Sequence, residues 1–199
     1  MSPFGNIKGK KVAIVGCGTY PIGKGLGNEI DACDVVIRAN RAYRTEGIEA
    51  DYGTRTDHLL LGNIGVIGPQ LPRVVNFKLH ARGGSHWKKN YIHNRAWIRL
   101  KKLYPNQTSE FPEEDYFAAW KYTNQTPYAG TCAAIMAAYY GAGEMLIVGL
   151  DMYDNINEKS AFAGHANMPP INHMFDLSID EKAILNLPCD KVKWIRRQK

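Results

Sequence analysis

The chain has 199 residues, 45% of them hydrophobic, which suffices for one good core and gives little reason to expect a second domain. Its 25 Lys and Arg residues outnumber its 19 Asp and Glu residues, so the net charge is +6 and anionic ligands are favoured. The densest basic groups lack the glycine and aromatic signatures of RNA-binding modules, which argues against a nucleic-acid partner. We interpret them as solvated helix faces (Lys88–Lys89, Lys101–Lys102 and Lys191–Lys199).

No segment reads as a signal peptide or a membrane span. Residues 1–11 carry three lysines and no apolar stretch. The longest run free of charge and of strong polarity, Cys132–Tyr140, is about half of the ~18 residues that a spanning helix requires. The cysteines are scattered, without the spacing of a zinc site or a disulfide framework (Cys17, Cys33, Cys132 and Cys189). We therefore predict a reduced, cytoplasmic protein with at most peripheral membrane contact.

Short apolar runs recur along the chain and predict buried strands at Lys11–Gly16, Asp34–Arg38, His58–Leu61, Arg73–Leu79 and Glu144–Gly149. Helices are predicted over Lys24–Ile30, Trp87–Leu103, Glu113–Tyr122, Thr131–Tyr140 and Asp176–Leu187. This alternation predicts an α/β protein with a Rossmann-like, doubly wound, mainly parallel sheet. Residues 1–199 are expected to form a single domain, in which the irregular stretch 154–172 is a lid loop.

A glycine-rich turn, Gly16–Gly27, follows the first predicted strand. Its backbone amides have no side chains in the way, and a helix N-terminus follows, so an anionic ligand is expected here. The turn does not complete the Rossmann dinucleotide fingerprint, because Pro21 stands where the third glycine should be.

The same turn partly matches the phosphate loop of NTPases. Gly18, Gly23 and Lys24 satisfy the pattern G-x4-G-K, but Gly25 replaces the Ser or Thr that holds magnesium. A nucleotide-binding kinase or NTPase therefore stays open as an alternative at this point.

Three segments, in order, resemble the motifs of the animal-type and bacterial sialyltransferases. Four stretches of this chain together resemble the large motif of that family: Val12–Gly18, Gly25–Asp31, Asp34–Arg41 and Asp51–Asp57. The small motif resembles Thr126–Gly130 with Glu144–Tyr153, and the last motif, a histidine shortly before an acidic residue on a helix, resembles Asn172–Glu181. The resemblance implies a modified GT-A-like sialyltransferase fold, a CMP-sugar as donor substrate, a glycan as acceptor, and neither a cofactor nor a metal.

The resemblance also implies roles for the residues that match. Gly16, Gly18 and Asn40 would line the phosphate and ribose of the donor, with Asn63 after the third strand. Helix-start amides would face its anionic groups from Tyr128, Ala129, Gly130 and Thr131. Tyr153 would contact the leaving phosphate, and His173 is the implied general base.

Three positions depart from the family pattern. Cys17 stands where bacterial members carry a donor-binding Asn, so the transferred sugar stays open between sialic acid and Kdo or another nonulosonate. Where a second tyrosine is usual after Tyr153, this chain has Lys159, which is predicted to neutralise the phosphate. His173 precedes Glu181 by eight residues, a longer gap than usual, so His165 remains an alternative base.

The chemistry expected of such a transfer needs a base for the acceptor hydroxyl and positive potential for the departing phosphate. A histidine of ordinary pKa, about 6.5, suits the first task, and helix-start amides suit the second. The chain contains no D-x-D triplet, which agrees with metal-independent transfer, and the resemblance implies inversion at the sugar carbon. A non-catalytic binding module of the same fold stays open, as does the oligomeric state. Arg38 and Arg55 could bind phosphate, and an internal ion pair with Asp31, Asp34 or Asp51 is equally plausible; we interpret both as structural.

Overall fold

The computed structural model describes residues 2–61, 76–79, 98–110, 113–125, 127–152 and 176–196. Within these ranges seven strands form one sheet: β1 (Lys11–Val15), β2 (Val35–Ala39), β3 (His58–Leu61), β4 (Asn76–Leu79), β5 (Thr108–Glu110), β6 (Glu144–Val148) and β7 (Lys191–Ile195). Their order across the sheet is β5-β4-β3-β2-β1-β6-β7, and each neighbouring pair is parallel. β1 is therefore central, with β2 on one side and β6 on the other.

Helices cover both faces of this sheet: α1 (Gly27–Asp31), α2 (Glu49–Tyr52), α3 (Glu113–Thr123), α4 (Ala129–Tyr139) and α5 (Leu177–Leu185). Residues 98–103 are also helical. Successive side chains of a strand point to opposite faces, and accordingly Val12 and Ile14 pack in one core with α4, whereas Ala13 and Val15 pack in a second core with α1 and α2. The predicted Rossmann-like, doubly wound α/β fold is confirmed.

Helix α4 is buried on all sides, from Ala129 to Ala138. Its alanines are small enough for the helix to lie directly on the sheet, where it contacts β1, β2 and β3, while α3 and α5 pack on its outer side. A helix that is apolar all round belongs in the interior. The start of α4 is thus held rigidly beside the sheet.

The structure corrects three details of the predicted elements. The first helix begins at Gly27 rather than Lys24, because residues 20–24 form turns. β5 and β7 were not predicted. The basic stretch at Lys191 is not a helix face, since Lys191–Ile195 pairs with β6 as an edge strand. The predicted lid loop 154–172 and most of the helix predicted over 87–103 lie outside the described residues.

Arg38 is completely buried on β2 and is bound by main-chain carbonyls. Its guanidinium donates to the carbonyl oxygens of Arg55, Ala42 and Tyr52 at 2.8, 3.0 and 2.7 Å, and Asp31 lies 4.0 Å away. Burial lowers the pKa of Arg38, and the charges of Asp31 and Asp57 oppose that shift.

Arg55 stabilises the same region from the surface. It pairs with Asp57 at 2.9 Å and donates to the carbonyl oxygens of Cys33 and Asp34 at 2.6 and 2.8 Å. Both arginines are thus structural, as predicted, but the partners differ: main-chain carbonyls bind both, and the acidic partner of Arg55 is Asp57 instead of Asp31, Asp34 or Asp51.

Candidate functional site

The parts predicted to form a ligand site meet at the carboxyl edge of the sheet. The chain leaves β1 through Gly16–Gly18, β2 through Asn40, and β6 through Gly149–Met152. β1 lies between β2 and β6 in the sheet. The chain segments that follow β1 and β6 therefore lead to opposite sides of β1, which leaves a crevice between them. In open α/β sheets, ligands bind in the crevice at such a switch point.

Gly16 and Gly18 bind the turn after β6 through their main chain. Their amides donate to the carbonyl oxygens of Val148 and Gly149, both at 2.8 Å. A Cβ on Gly16 would lie 2.4 Å from the Gly149 oxygen, so the two turns are packed backbone against backbone. Because these amides are used inside the protein, a ligand would have to be contacted by other atoms of the two glycines.

Cys17 and Asn40 lie together on the β2 side of this edge. The Cys17 thiol donates to the carbonyl oxygen of Ala39 at 3.4 Å, next to Asn40 in the chain. Asn40 has a left-handed backbone with φ of 53°, and its amide donates to the Leu60 oxygen at 2.9 Å. The structure therefore brings these two predicted residues together at the end of β2.

The start of α4 reaches the same crevice from the β6 side. Gly130 and Gly16 both pack against one methyl group of Leu150, whose Cδ2 would lie 2.2 and 2.4 Å from a Cβ at these glycines. The Leu150 carbonyl accepts a hydrogen bond from the Trp194 indole at 3.2 Å, which ties this turn to β7. Leu150 is thus the contact that joins the predicted glycine turn to the predicted helix start.

The first turn of α4 has the electrostatics of an anion site. The first amides of an α-helix have no acceptor within the helix, and they carry the positive end of its dipole. The N-cap residue Tyr128 provides no side-chain cap, and its own amide donates to Asp180. Ala129, Gly130 and Thr131 form the first turn and are buried.

Asp151 is a residue of the site that was not among the predicted donor-binding residues. Its carboxylate accepts from the Tyr20 amide at 2.9 Å, and a Cβ on Gly18 would lie 2.1 Å from its Oδ2. Tyr52 donates its hydroxyl proton to the Gly18 carbonyl, and burial raises the pKa of that hydroxyl, with Asp151 acting in the same direction. Asp151 and Tyr52 hold the turn after β1 from its two sides.

The structure does not support the phosphate-loop alternative. The amides of Gly23 and Gly25, which would have to cradle a phosphate, both donate to the Asp51 carboxylate at 2.8 Å. These contacts hold the pKa of Asp51 below its ordinary value, the Gly23 amide contributing most. Lys24 lies over the Tyr20 ring, 4.2 Å from its centroid. The turn is closed by the protein's own carboxylate.

Five predicted residues lie outside the described residues: Asn63, Tyr153, Lys159, His165 and His173. Their roles stay predictions. In the part of the chain that the structure covers, no group of three His, Cys, Asp or Glu side chains is arranged to hold a metal ion. None of the four cysteines forms a disulfide bond. None of the helices described is long and apolar enough to cross a membrane.

The contact between Gly130 and Leu150 can be tested by a double-mutant cycle. Gly130→Ala should lower the free energy of unfolding by about 1–3 kcal/mol, the usual cost of overpacking, because its Cβ would meet Leu150. In a Leu150→Ala background the same change should be neutral or stabilising, since alanine is about 1 kcal/mol better than glycine in a helix. Urea unfolding of the four proteins measures this coupling.

Gly16 is the matched control for this cycle. A Cβ there would lie 2.4 Å from the Leu150 side chain and also 2.4 Å from the main-chain oxygen of Gly149, which Leu150→Ala does not remove. Gly16→Ala should therefore be destabilising in both backgrounds. Equal recovery of the two glycine variants would contradict the geometry described here.

Comparison with known proteins agrees with this architecture. A sequence profile of glycosyltransferase family 29 (sialyltransferase) matches residues 1–140, well over half of the chain. Two crystal structures of a mammalian sialyltransferase have a similar fold, at 14% sequence identity over 94% of this chain and 70% of the other. The TM-score is 0.64 for the complex with Gal-beta-1-3GalNAc-ortho-nitrophenol and 0.66 for the other structure. A comparison with curated protein sequences found no match.

Proposed function

Because the chain belongs to glycosyltransferase family 29 (sialyltransferase), we propose that it transfers a keto sugar from a CMP-activated donor to a hydroxyl of a glycan acceptor. The sugar is sialic acid or a related one such as Kdo or another nonulosonate. One observation carries the proposal. The glycine turn after β1 and the first turn of α4 converge on Leu150 at the switch point of the sheet, where a nucleotide would bind.

The proposed donor site suits a nucleotide with one phosphate. Gly16 and Gly18 are packed without side chains, Cys17 and Asn40 adjoin them, and Tyr128, Ala129, Gly130 and Thr131 provide the positive end of a helix. A monophosphate needs less charge compensation than a diphosphate. We therefore propose that helix-start amides, with Asn63, Tyr153 and Lys159, bind the donor without a metal ion or other cofactor.

The proposed reaction exchanges one bond at the anomeric carbon. His173 takes the proton of the acceptor hydroxyl while that oxygen forms a bond to the anomeric carbon. The bond from this carbon to the phosphate oxygen breaks, its electron pair stays with the phosphate, and CMP leaves. Attack opposite the leaving group inverts the configuration. Positive potential near the phosphate stabilises the charge that develops there.

Titration calorimetry in EDTA tests the donor class. CMP and CDP should bind, and AMP and ADP should bind more weakly. Lys24→Ala is the control that separates the NTPase alternative, because Lys24 lies on Tyr20 and should leave CMP affinity unchanged. CMP affinity no better than AMP affinity would sink the proposal, and Mg-ATP binding that is lost in Lys24→Ala would favour the alternative.

The non-catalytic module of the same fold makes a different prediction. It would bind CMP but release no CMP from a CMP-sugar in the presence of glycan acceptors, and His173→Ala would change nothing measurable. Cytoplasmic location and the absence of stable membrane contact remain our proposals from the cysteine pattern and the composition.

A further inference from the structure

The side-chain amide of Gln125 bonds both main-chain groups of a residue at the N-terminus of α5. Gln125 Nε2 donates to the Asp176 carbonyl oxygen at 2.8 Å, and Gln125 Oε1 accepts from the Asp176 amide at 3.2 Å. Asp176 is the N-cap of α5, where its own carboxylate accepts from the Ser178 amide at 2.8 Å. Gln125 therefore fixes the entry to α5 without using the Asp176 side chain.

A buried carboxylate connects this contact to the start of α4. Asp180 is completely buried on α5. Its Oδ1 accepts from Gln125 Nε2 at 3.0 Å, and its Oδ2 accepts from the Tyr128 amide at 3.0 Å. Burial raises the pKa of Asp180, and the Tyr128 amide, Thr131 and Gln125 oppose that shift. A buried carboxylate is costly unless its oxygens are bonded, so these partners are required.

The neighbouring Glu181, which the motif comparison takes as the acidic residue after His173, lies elsewhere. It pairs with Arg196 of the segment that follows β7. Asp180, seven residues after His173, is the acidic side chain that reaches the predicted donor end of α4. Asp180, rather than Glu181, therefore connects α5 to the start of α4.

We propose that Gln125 and Asp180 are positioning residues for the transfer reaction. Together with the Tyr128 amide and the Asp176 main chain they form what we call the amide clamp. It fixes the positions of two parts of the proposed site relative to each other. These are the first turn of α4, which faces the donor, and the end of the segment that carries the base. This inference depends on the proposed function, although the clamp itself can be tested without it.

Swapping the amide of Gln125 and the carboxylate of Asp180 in two steps tests the clamp. Gln125→Glu places a second carboxylate about 3 Å from Asp180, and repulsion should break the hold on Asp176 while Asp180 keeps Tyr128. We expect kcat to fall about tenfold or more, because misplacement of reacting groups is costly, with less than about a threefold change in CMP affinity. In the double variant Gln125→Glu/Asp180→Asn, the amide introduced at position 180 can donate to the carboxylate introduced at position 125 and accept from the Tyr128 amide. The Asp176 amide can again donate to position 125, whereas the bond to the Asp176 carbonyl stays lost. Part of kcat should therefore return.

Tyr122→Phe is the matched control. The Tyr122 hydroxyl joins α3 to the far end of α5 through the Asn186 carbonyl, at 2.5 Å, away from the clamp. It should lower the Tm and leave kcat unchanged. Wild-type kcat in Gln125→Glu, an equal loss of kcat in Tyr122→Phe, or no recovery in the double variant would each overturn the inference.

Hydrogen exchange separates failure of the clamp from failure of the proposed function. If the wild-type protein transfers no sugar from any CMP donor, the function fails, and the clamp is judged on the amides of residues 176–182. Gln125→Glu should speed their exchange, and the double variant should slow it again in part. Unchanged exchange in Gln125→Glu would overturn the clamp whatever the activity.

Discussion

Arg38→Met should destabilise the protein by about 3–5 kcal/mol, the range found when one partner of a buried charged contact is removed. The guanidinium is completely buried and donates to the carbonyls of Ala42, Tyr52 and Arg55. Methionine fills a similar volume but has no donor, so three polar groups would lose their bonds in the interior. This is a large share of the roughly 5–15 kcal/mol that stabilises a typical protein.

Urea unfolding at neutral pH measures the effect. Lys193→Met is the control, because Lys193 is half exposed and pairs with Glu29 at 2.8 Å on the surface. It should cost less than about 1 kcal/mol. If Arg38→Met does not fold, Arg38→Lys provides the comparison, since an ammonium cannot serve three carbonyls in the guanidinium plane and an intermediate loss is expected. If the Arg38 variants lose no more free energy of unfolding than Lys193→Met does, the role of Arg38 is contradicted.

The stability of this region bears on the site because the same residues shape the turn after β1. Tyr52, whose carbonyl binds Arg38, donates its hydroxyl to the Gly18 carbonyl. Asp51 beside it holds the amides of Gly23 and Gly25. Within the large motif, Asp51 and Tyr52 therefore act as a scaffold that positions the glycine turn.

The central strands could be predicted because burial dictates their composition. β1, β2, β3 and β6 have buried side chains on both faces and read as continuous apolar runs. β7 carries lysines at Lys191 and Lys193 and is exposed along much of its length, so only its pairing with β6 makes it a strand. β5 is three residues long and pairs with β4 at the opposite edge.

The parts of the candidate site that follow a pattern along the chain could be predicted. The parts that depend on contacts between distant residues could not. The glycines and the helix start follow β1 and precede β6 in recognisable patterns. Leu150 and Asp180 carry no such signal. Leu150 is one leucine after a strand, and its importance comes from Gly16 and Gly130, which lie 134 and 20 residues earlier in the chain. Asp180 and Tyr128 meet only because α5 packs on α4.

His173→Ala should lower kcat by about 10²–10⁴-fold, the usual contribution of a general base, while CMP affinity stays unchanged. His165→Ala is the matched control, and it should retain activity. Our preference for His173 rests on its position three residues before Asp176, whose main chain is bound by Gln125. Three residues reach at most about 11 Å, whereas the eleven residues from His165 to Asp176 reach about 40 Å, so only His173 is closely tethered to a fixed point.

Steady-state kinetics with a CMP-sugar and calorimetry with CMP distinguish the outcomes for the two histidines. In the wild-type protein, kcat should fall as the pH drops through the histidine pKa, because the base must be neutral to accept the proton. His173→Ala should lose that dependence along with most of its rate. A large loss of kcat in His165→Ala alone would assign the base to His165 instead. The clamp would then act mainly on the donor site, since the base would lie eleven residues before Asp176 instead of three.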